Sequence, residues 1–312
     1  MIQIGNYPVF IGLSGVVAVL IVASLIVWAL QYKNPQKNYS ELRLRVKSWW
    51  LMVAIFAFAI AVNTTTAVLF FAFLSFLALK EFLSLIPTRR ADRRVLFWAY
   101  LAIPLQYYWV GTAWYGMFII FIPVYIFLLL PTRMVLIGET KDFLRAAGTV
   151  HWGLMVTVFS ISHIAYLLVL PPERNPQAAG AGLVLYLIFL TQFNDVAQYV
   201  WGKLTGRHKI IPKVSPNKTW EGFLGGVATT VLLAFFIAPW LTPLTRLESL
   251  AAGLLIGVGG FIGDVIISAV KRDVGVKDSG ALLPGHGGIL DRIDSLTYTA
   301  PLFFHFIYYL HY

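Results

Sequence analysis

Ten stretches of this chain are apolar over close to the length that crosses a bilayer, and no other feature constrains its fold as strongly. A helix needs about 20 apolar residues to span the hydrocarbon core. The stretches lie at 8–30, 46–62, 66–86, 94–112, 114–131, 149–170, 181–201, 221–241, 249–270 and 296–312. Composition agrees. Hydrophobic residues make up 59% of the chain and charged residues 12%, with a mean hydropathy of +0.76. A soluble domain carries roughly 25% charged residues. These values exclude a disordered chain, a coiled coil and an ordinary soluble enzyme. The expected fold class is all-α: a polytopic transmembrane helix bundle of about ten spans. The run from 46 to 86 is too long for one span and is split at the polar cluster Asn63-Thr64-Thr65-Thr66. The first span has no basic residue before it and no small-residue cleavage site after it, so it reads as a retained helix.

The distribution of charge sets the orientation. Of the 24 lysines and arginines, 22 fall in alternate connections, and only Arg174 and Arg246 fall in the others. The positive-inside rule places the basic connections in the cytoplasm. Ten spans then leave both termini outside. The net charge of +10 thus has a topological origin, and no nucleic-acid motif accompanies it. There is no cysteine, so thiolate chemistry, disulfides and Cys-based metal sites are excluded.

Two carboxylates lie inside spans, where an ionisable group is a functional candidate by default. Asp195 is in 181–201 and Asp264 in 249–270. At a rise of about 1.5 Å per residue, each sits roughly 10 Å from the cytoplasmic end of its span. Matching depth lets them meet in one cavity open to the cytoplasm. Asp264, Ser268 and Lys271 share a helix face, as do Asn194 and Gln198. The competing reading is a polar contact that only holds helices together. His151 and His163 are not at a metal-ligand spacing and read as hydrogen-bonded or interfacial histidines, and His305 and His311 as incidental.

Two basic connections have an unusual residue order. The first, 202–222, carries Lys203, Arg207, His208, Lys209, Lys213 and Lys218, with a turn at Ser215-Pro216 and Thr219 placed to cap the next helix. A basic, turn-rich loop ending at a helix N-terminus suits polyphosphate. Gly225-Gly226 permits close helix packing. The second, 268–295, interleaves acids, bases and glycines. Asp278, Asp291 and Asp294 offer hard oxygen ligands of the kind Mg²⁺ takes. Lys271, Arg272, Lys277 and Arg292 can neutralise phosphates, and His286 can donate to one. Together the loops describe magnesium-assisted phosphoryl or nucleotidyl transfer at a membrane face, chemistry that asks mainly for positioning and charge neutralisation.

The order Ser268-x-x-Lys271-Arg272, Lys277-Asp278-x-Gly280, Leu283-Pro284-Gly285-His286-Gly287-Gly288, Leu290-Asp291-Arg292-x-Asp294 resembles the signature of phosphatidate cytidylyltransferases. Gly202-x-x-x-Gly206-Arg207-His208-Lys209, Ser215-Pro216-x-Lys218-Thr219-Trp220-Glu221-Gly222 and Gly263-Asp264 resemble other segments of that family. The strong match covers about 190–295, and a weaker hydropathy match from about 43 onward includes Glu81-Phe82. The resemblance implies that CTP and phosphatidic acid give CDP-diacylglycerol and pyrophosphate. It implies Asp264, Asp278 and Asp291 as Mg²⁺ ligands, with a second cation left open, and Lys271 beside them in catalysis. It implies substrate binding by Lys203, Arg207, Lys209, Ser215, Lys218, Ser268, Arg272, Lys277, His286, Arg292 and Asp195. Two departures mark a divergent branch: the added first span, and Gln198 where the common pattern has alanine.

The expected organisation is an extra helix and basic connection over 1–45, N-terminal helices over 46–180 and a catalytic region over 181–312. The expected setting is a bacterial inner membrane with the active site facing the cytoplasm. The partners expected are CTP, phosphatidic acid and membrane lipids, with a homodimer open and nucleic acid excluded. Transfer to another lipid phosphate, or transport of an anionic lipid, are the alternatives.

Overall fold

The computed structural model describes residues 7–36, 38–87, 89, 92–282 and 287–312. It is an all-α bundle. Ten helices follow the ten apolar stretches: α1 Tyr7–Lys33, α2 Ser40–Val62, α3 Thr64–Leu85, α4 Arg93–Gly111, α5 Tyr115–Val135, α6 Phe143–Val169, α7 Ala179–Thr205, α8 Trp220–Leu241, α9 Arg246–Asp273 and α10 Leu296–His311. A single turn, Leu290–Ile293, precedes α10. Eight of the ten are long and apolar enough to cross a membrane. The other two, α4 and α10, have 19 and 16 residues.

Local chemistry accounts for the breaks. Asn63 is extended, and its side chain accepts from the Thr66 amide at 2.7 Å. It satisfies one orphan donor at the start of α3, so the long run divides at Asn63 and the three threonines join the helix. Thr219 caps α8 by accepting from the Gly222 amide at 3.2 Å. Thr245 and Glu248 form a reciprocal capping box at the start of α9. α5 and α6 each contain a π-helical turn, at Phe121–Ile126 and Met155–Phe159.

Cross-links between connections show that successive helices alternate in direction. Arg89 donates to the carbonyls of Glu139 and Lys141, and Arg272 to the carbonyl of Val214. Glu81, near the end of α3, accepts from the Leu290 amide. These basic connections therefore share one end of the bundle. At the opposite end Asn175 donates to the Leu241 carbonyl, His311 meets Glu248, and the hydroxyls of Tyr115 and Tyr309 bond. His311 thus has a partner, although its position in sequence reads as incidental.

The tightest part of the bundle is α7 against α8. A Cβ at Gly226 would overlap the Gln198 side chain, so only glycine lets the two backbones approach this closely. α9 and α10 complete this half of the molecule. α1 packs at the edge of the bundle, with Gly12 against Leu185 of α7; it buries only Val9, Leu20 and Val27, and most of its apolar surface faces outward as a lipid-facing helix requires.

Candidate active site at the basic end

The site assembles from α7, α9 and the two long connections. Lys218, at the end of the 206–219 connection, places its ammonium 2.7 Å from Asp264 Oδ2 and donates to Gln198 Oε1 at 3.1 Å. Ser268 donates to Asp264 Oδ1 at 3.2 Å, one turn along α9. Burial works against the Lys218 charge, but the carboxylates of Asp264 and Asp195 outweigh it and hold its pKa above that of a free lysine. Asp195 faces the same cluster and accepts from Ser295 Oγ at 3.0 Å. Burial, reinforced by the charges of Asp264 and Asp195, holds the Asp294 carboxyl well above the usual carboxylate range. The two intramembrane acids therefore do share one polar pocket, with Asp294 as a third member.

A second acid–base pair organises the 274–289 connection. Lys271 Nζ lies 2.6 Å from Asp291 Oδ1, and Asp291 Oδ2 accepts from the amides of Ser279 at 2.8 Å and Gly288 at 3.0 Å. Burial alone would raise the Asp291 carboxyl, but Lys271 and these amides outweigh it and hold it below the usual range. Both oxygens are engaged, so Asp291 anchors the loop. Asp278 by contrast is exposed. It lines a cleft of about 950 Å³ that also presents Asp195, Asp294, Lys277 and Arg292.

Glu81 closes the arrangement from the other half of the molecule. Its carboxylate accepts from the amides of Ile289 and Leu290, each at 2.9 Å, and from Ser279 Oγ. Gly288 packs directly on this carboxylate, where a Cβ would collide with Oε1. One residue of α3 thus holds the loop that carries Lys277 and Asp278. Sequence reasoning noted Glu81-Phe82 without assigning a role. The available signal was a carboxylate at the end of an apolar helix.

The other sequence candidates distribute unevenly. Arg272 ties the two connections together through the carbonyls of Val214 and Val276. Ser215 accepts from the Lys218 amide through its carbonyl, forming the expected turn. Lys203, in the last turn of α7, and Arg207 and Lys209, in the connection that follows, are exposed. The Arg207 amide and the His208 amide and ring bond to Glu221, which closes this connection onto the start of α8. His286 lies outside the described residues.

Asn194 serves packing: it donates to the Gly257 carbonyl and accepts from Thr230. His163 is buried and bonds through Nδ1 to the Phe159 carbonyl, as a hydrogen-bonded core histidine does.

Among the described residues, no group of three His, Asp or Glu side chains is spaced to enclose a metal ion. Mg²⁺ does not need such a cage, because it binds through one or two carboxylates, waters and substrate phosphates. An exposed Asp278 on the cleft and a neighbouring acid cluster fit that mode.

The described residues thus form a helix bundle with paired acids and bases gathered at one end. The chain belongs to the cytidylyltransferase family, whose model matches residues 43–310. The phosphatidate cytidylyltransferase of Mycobacterium leprae (strain TN) is 40% identical over 164 residues, covering 50% of this chain and 48% of its own. That of Haemophilus influenzae is 41% identical over 136 residues, covering 42% and 47%. The uncharacterized protein YnbB of Escherichia coli (strain K12) is 50% identical over 297 residues, covering 95% and 97%. The chain therefore spans about half the length of the relatives whose names carry an activity. The family match begins after α1, which stands ahead of it.

Proposed function

We propose that this protein is a phosphatidate cytidylyltransferase of a bacterial inner membrane, with its basic end and active site in the cytoplasm. The observation that carries the reading is the gathering of two acid–base pairs, Lys218–Asp264 and Lys271–Asp291, at the end of the bundle where Asp195, Asp278, Asp291 and Asp294 line a cleft, in a chain of the cytidylyltransferase family. A phosphate oxygen of phosphatidic acid attacks the α-phosphorus of CTP. The new P–O bond forms as the bond to the bridging oxygen of the β-phosphate breaks, and pyrophosphate leaves with that electron pair. The attacking phosphate is already ionised, so no general base and no covalent enzyme intermediate are required.

The residues act by positioning and charge. Lys218, Arg272 and Arg292 neutralise phosphate oxygens, and Lys277 does so at the cleft edge. Ser268 and Ser215 orient phosphates by hydrogen bonds. Asp264 and Asp278 are the carboxylates that would hold Mg²⁺, while Asp291 and Lys271 set the loop carrying Asp278. Bound there, the ion would neutralise charge developing on the phosphates.

The test is turnover by the purified protein with labelled CTP, phosphatidic acid in mixed micelles and Mg²⁺, with EDTA and Asp264→Asn as controls. Metal-dependent CDP-diacylglycerol and pyrophosphate are the expected products. CTP binding without product would reassign the acceptor to a different lipid phosphate. Neither binding nor product would overturn the reading, and labelled-lipid flux in proteoliposomes would then test transport.

A further inference from the structure

The cleft has a wall that belongs to neither motif loop. It is formed by the first turns of α2, where Glu41, Leu42, Arg45, Val46 and Trp49 recur at helical spacing along one face. The opposite wall is α7 with residues of 277–281 and 287–294. The cleft is amphipathic along its length. At the loop side it presents Arg292 and Lys277 among the carboxylates. Its apolar lining is Val46, Trp49, Val196 and Tyr199, and Val196 and Tyr199 are 51% and 66% exposed. Few residues of α2 are buried, namely Ser48, Ala59 and Ile60, so α2 and α7 bound an opening toward the surrounding lipid.

From this juxtaposition we infer that the face of α2 around Arg45 is the docking site for the phosphate monoester of a membrane lipid, with the acyl chains leaving between α2 and α7. The inference rests on the proposed reaction and names the part of the cleft that takes its lipid substrate. A planar guanidinium is suited to bidentate contact with a phosphate monoester. Trp49, one turn deeper, offers an amphipathic ring at the level where headgroup gives way to chain.

Arg45 is held 2.6 Å from Glu41, and both side chains are largely exposed. Such a pair is weak, so a phosphate can displace Glu41 at little cost. Positive charge in a membrane-proximal connection also follows from topology alone. Topology, however, sets no requirement that the charge face a cleft opposite the acid cluster.

The experiment pairs kinetics with a binding measurement that needs no turnover. Arg45→Ala, Arg45→Lys and Glu41→Gln are compared with the parent protein in mixed micelles, varying phosphatidic acid and CTP separately. Arg45→Ala should raise the KM for the lipid about tenfold or more, the range of a lost charge-assisted contact, and leave the KM for CTP unmoved. Arg45→Lys should recover part of the loss. Glu41→Gln should lower the lipid KM about two- to fourfold.

In parallel, phosphatidic acid brominated on its chains should quench a tryptophan signal that Trp49→Phe removes, and Arg45→Ala should shift that quenching to higher lipid concentration. An unchanged lipid KM in an active Arg45→Ala protein overturns the inference and leaves the reaction standing. A raised CTP KM overturns it in favour of nucleotide binding. Arg45-dependent quenching in a protein that makes no product overturns the reaction and retains the lipid site.

Discussion

The two halves of this bundle bury polar side chains for different ends. Within the helices α3 to α6 the buried polar side chains include no carboxylate or ammonium, and they bond to one another or to backbone carbonyls. Gln106 donates to the Phe118 carbonyl and to Ser162, and Tyr107 donates to the Phe71 carbonyl while bonding to Ser75. In α7 to α10 and their connections, acids pair with bases, Lys218 with Asp264 and Lys271 with Asp291, and they do so at one end beside an open cleft. A neutral bond between adjacent helices holds them together, with a modest contribution of about 0.6 kcal/mol on average in membranes. A charged pair beside a cleft is costly to desolvate and presents groups that substrate phosphates and a metal can take over. Polarity inside a membrane therefore marks function when charge, ion pairing and access coincide.

The largest break in this comparison comes from Asp264→Asn. Asparagine keeps the volume and can still accept from Lys218, so the helices should insert and pack as before. Loss of the negative charge that would hold the metal and balance Lys218 should lower turnover about a thousandfold or more. Activity of the purified variant, set against an unchanged gel-filtration profile in detergent, checks it. Substantial retained turnover would move the metal site away from α9.

Next in size is Glu81, a carboxylate of the first half that reaches into the second. Both of its oxygens accept hydrogen bonds from the loop, so Glu81→Gln turns an amide group toward a backbone N–H and loses the match. The expected result is a fall in kcat of about tenfold to a hundredfold, from loosened positioning of Asp278 and Lys277. Hydrogen exchange at the amides of Ser279, Ile289 and Leu290 should accelerate in the same variant. A drop in activity with unchanged exchange would show that Glu81 acts on the reaction by another route.

Glu81 also shows where sequence reasoning stops. The helices were readable because apolar length, caps and basic connections are local signals: Asn63 divides the long run and Thr219 starts α8 through bonds spanning three residues. The depth of Asp195 and Asp264 was likewise a matter of counting along a helix, and it placed them in one pocket. What joins Glu81 to Leu290 is a contact across 209 residues, and no spacing encodes it. The use of both Asp291 oxygens by Lys271 and two amides depends on how the loop folds back. In the same way, the clustered bases of 203–209 looked like one unit with Lys218. The hairpin closed by Glu221 leaves Lys203, Arg207 and Lys209 exposed while Lys218 meets Asp264.

The smallest expected effect sharpens the comparison from the other side. Tyr107→Phe removes a buried hydroxyl that donates to the Phe71 carbonyl at 2.9 Å and bonds to Ser75 Oγ at 2.7 Å. The ring that fills the space between α3 and α4 stays. Ser75 sits four residues after Phe71 on the same helix, so its hydroxyl can donate back to the freed carbonyl, and no polar atom is left stranded. The cost should be about 0.5–1.5 kcal/mol, which lowers the melting temperature in detergent by about 2–4 °C per kcal/mol. Turnover at the assay temperature should not change, because Glu81, through which α3 reaches the loop, lies more than a turn beyond Ser75 and keeps its own bonds. A thermal melt and a kinetic assay on one preparation decide it. A fall in kcat without a fall in melting temperature would mean that the neutral half also transmits something to the site.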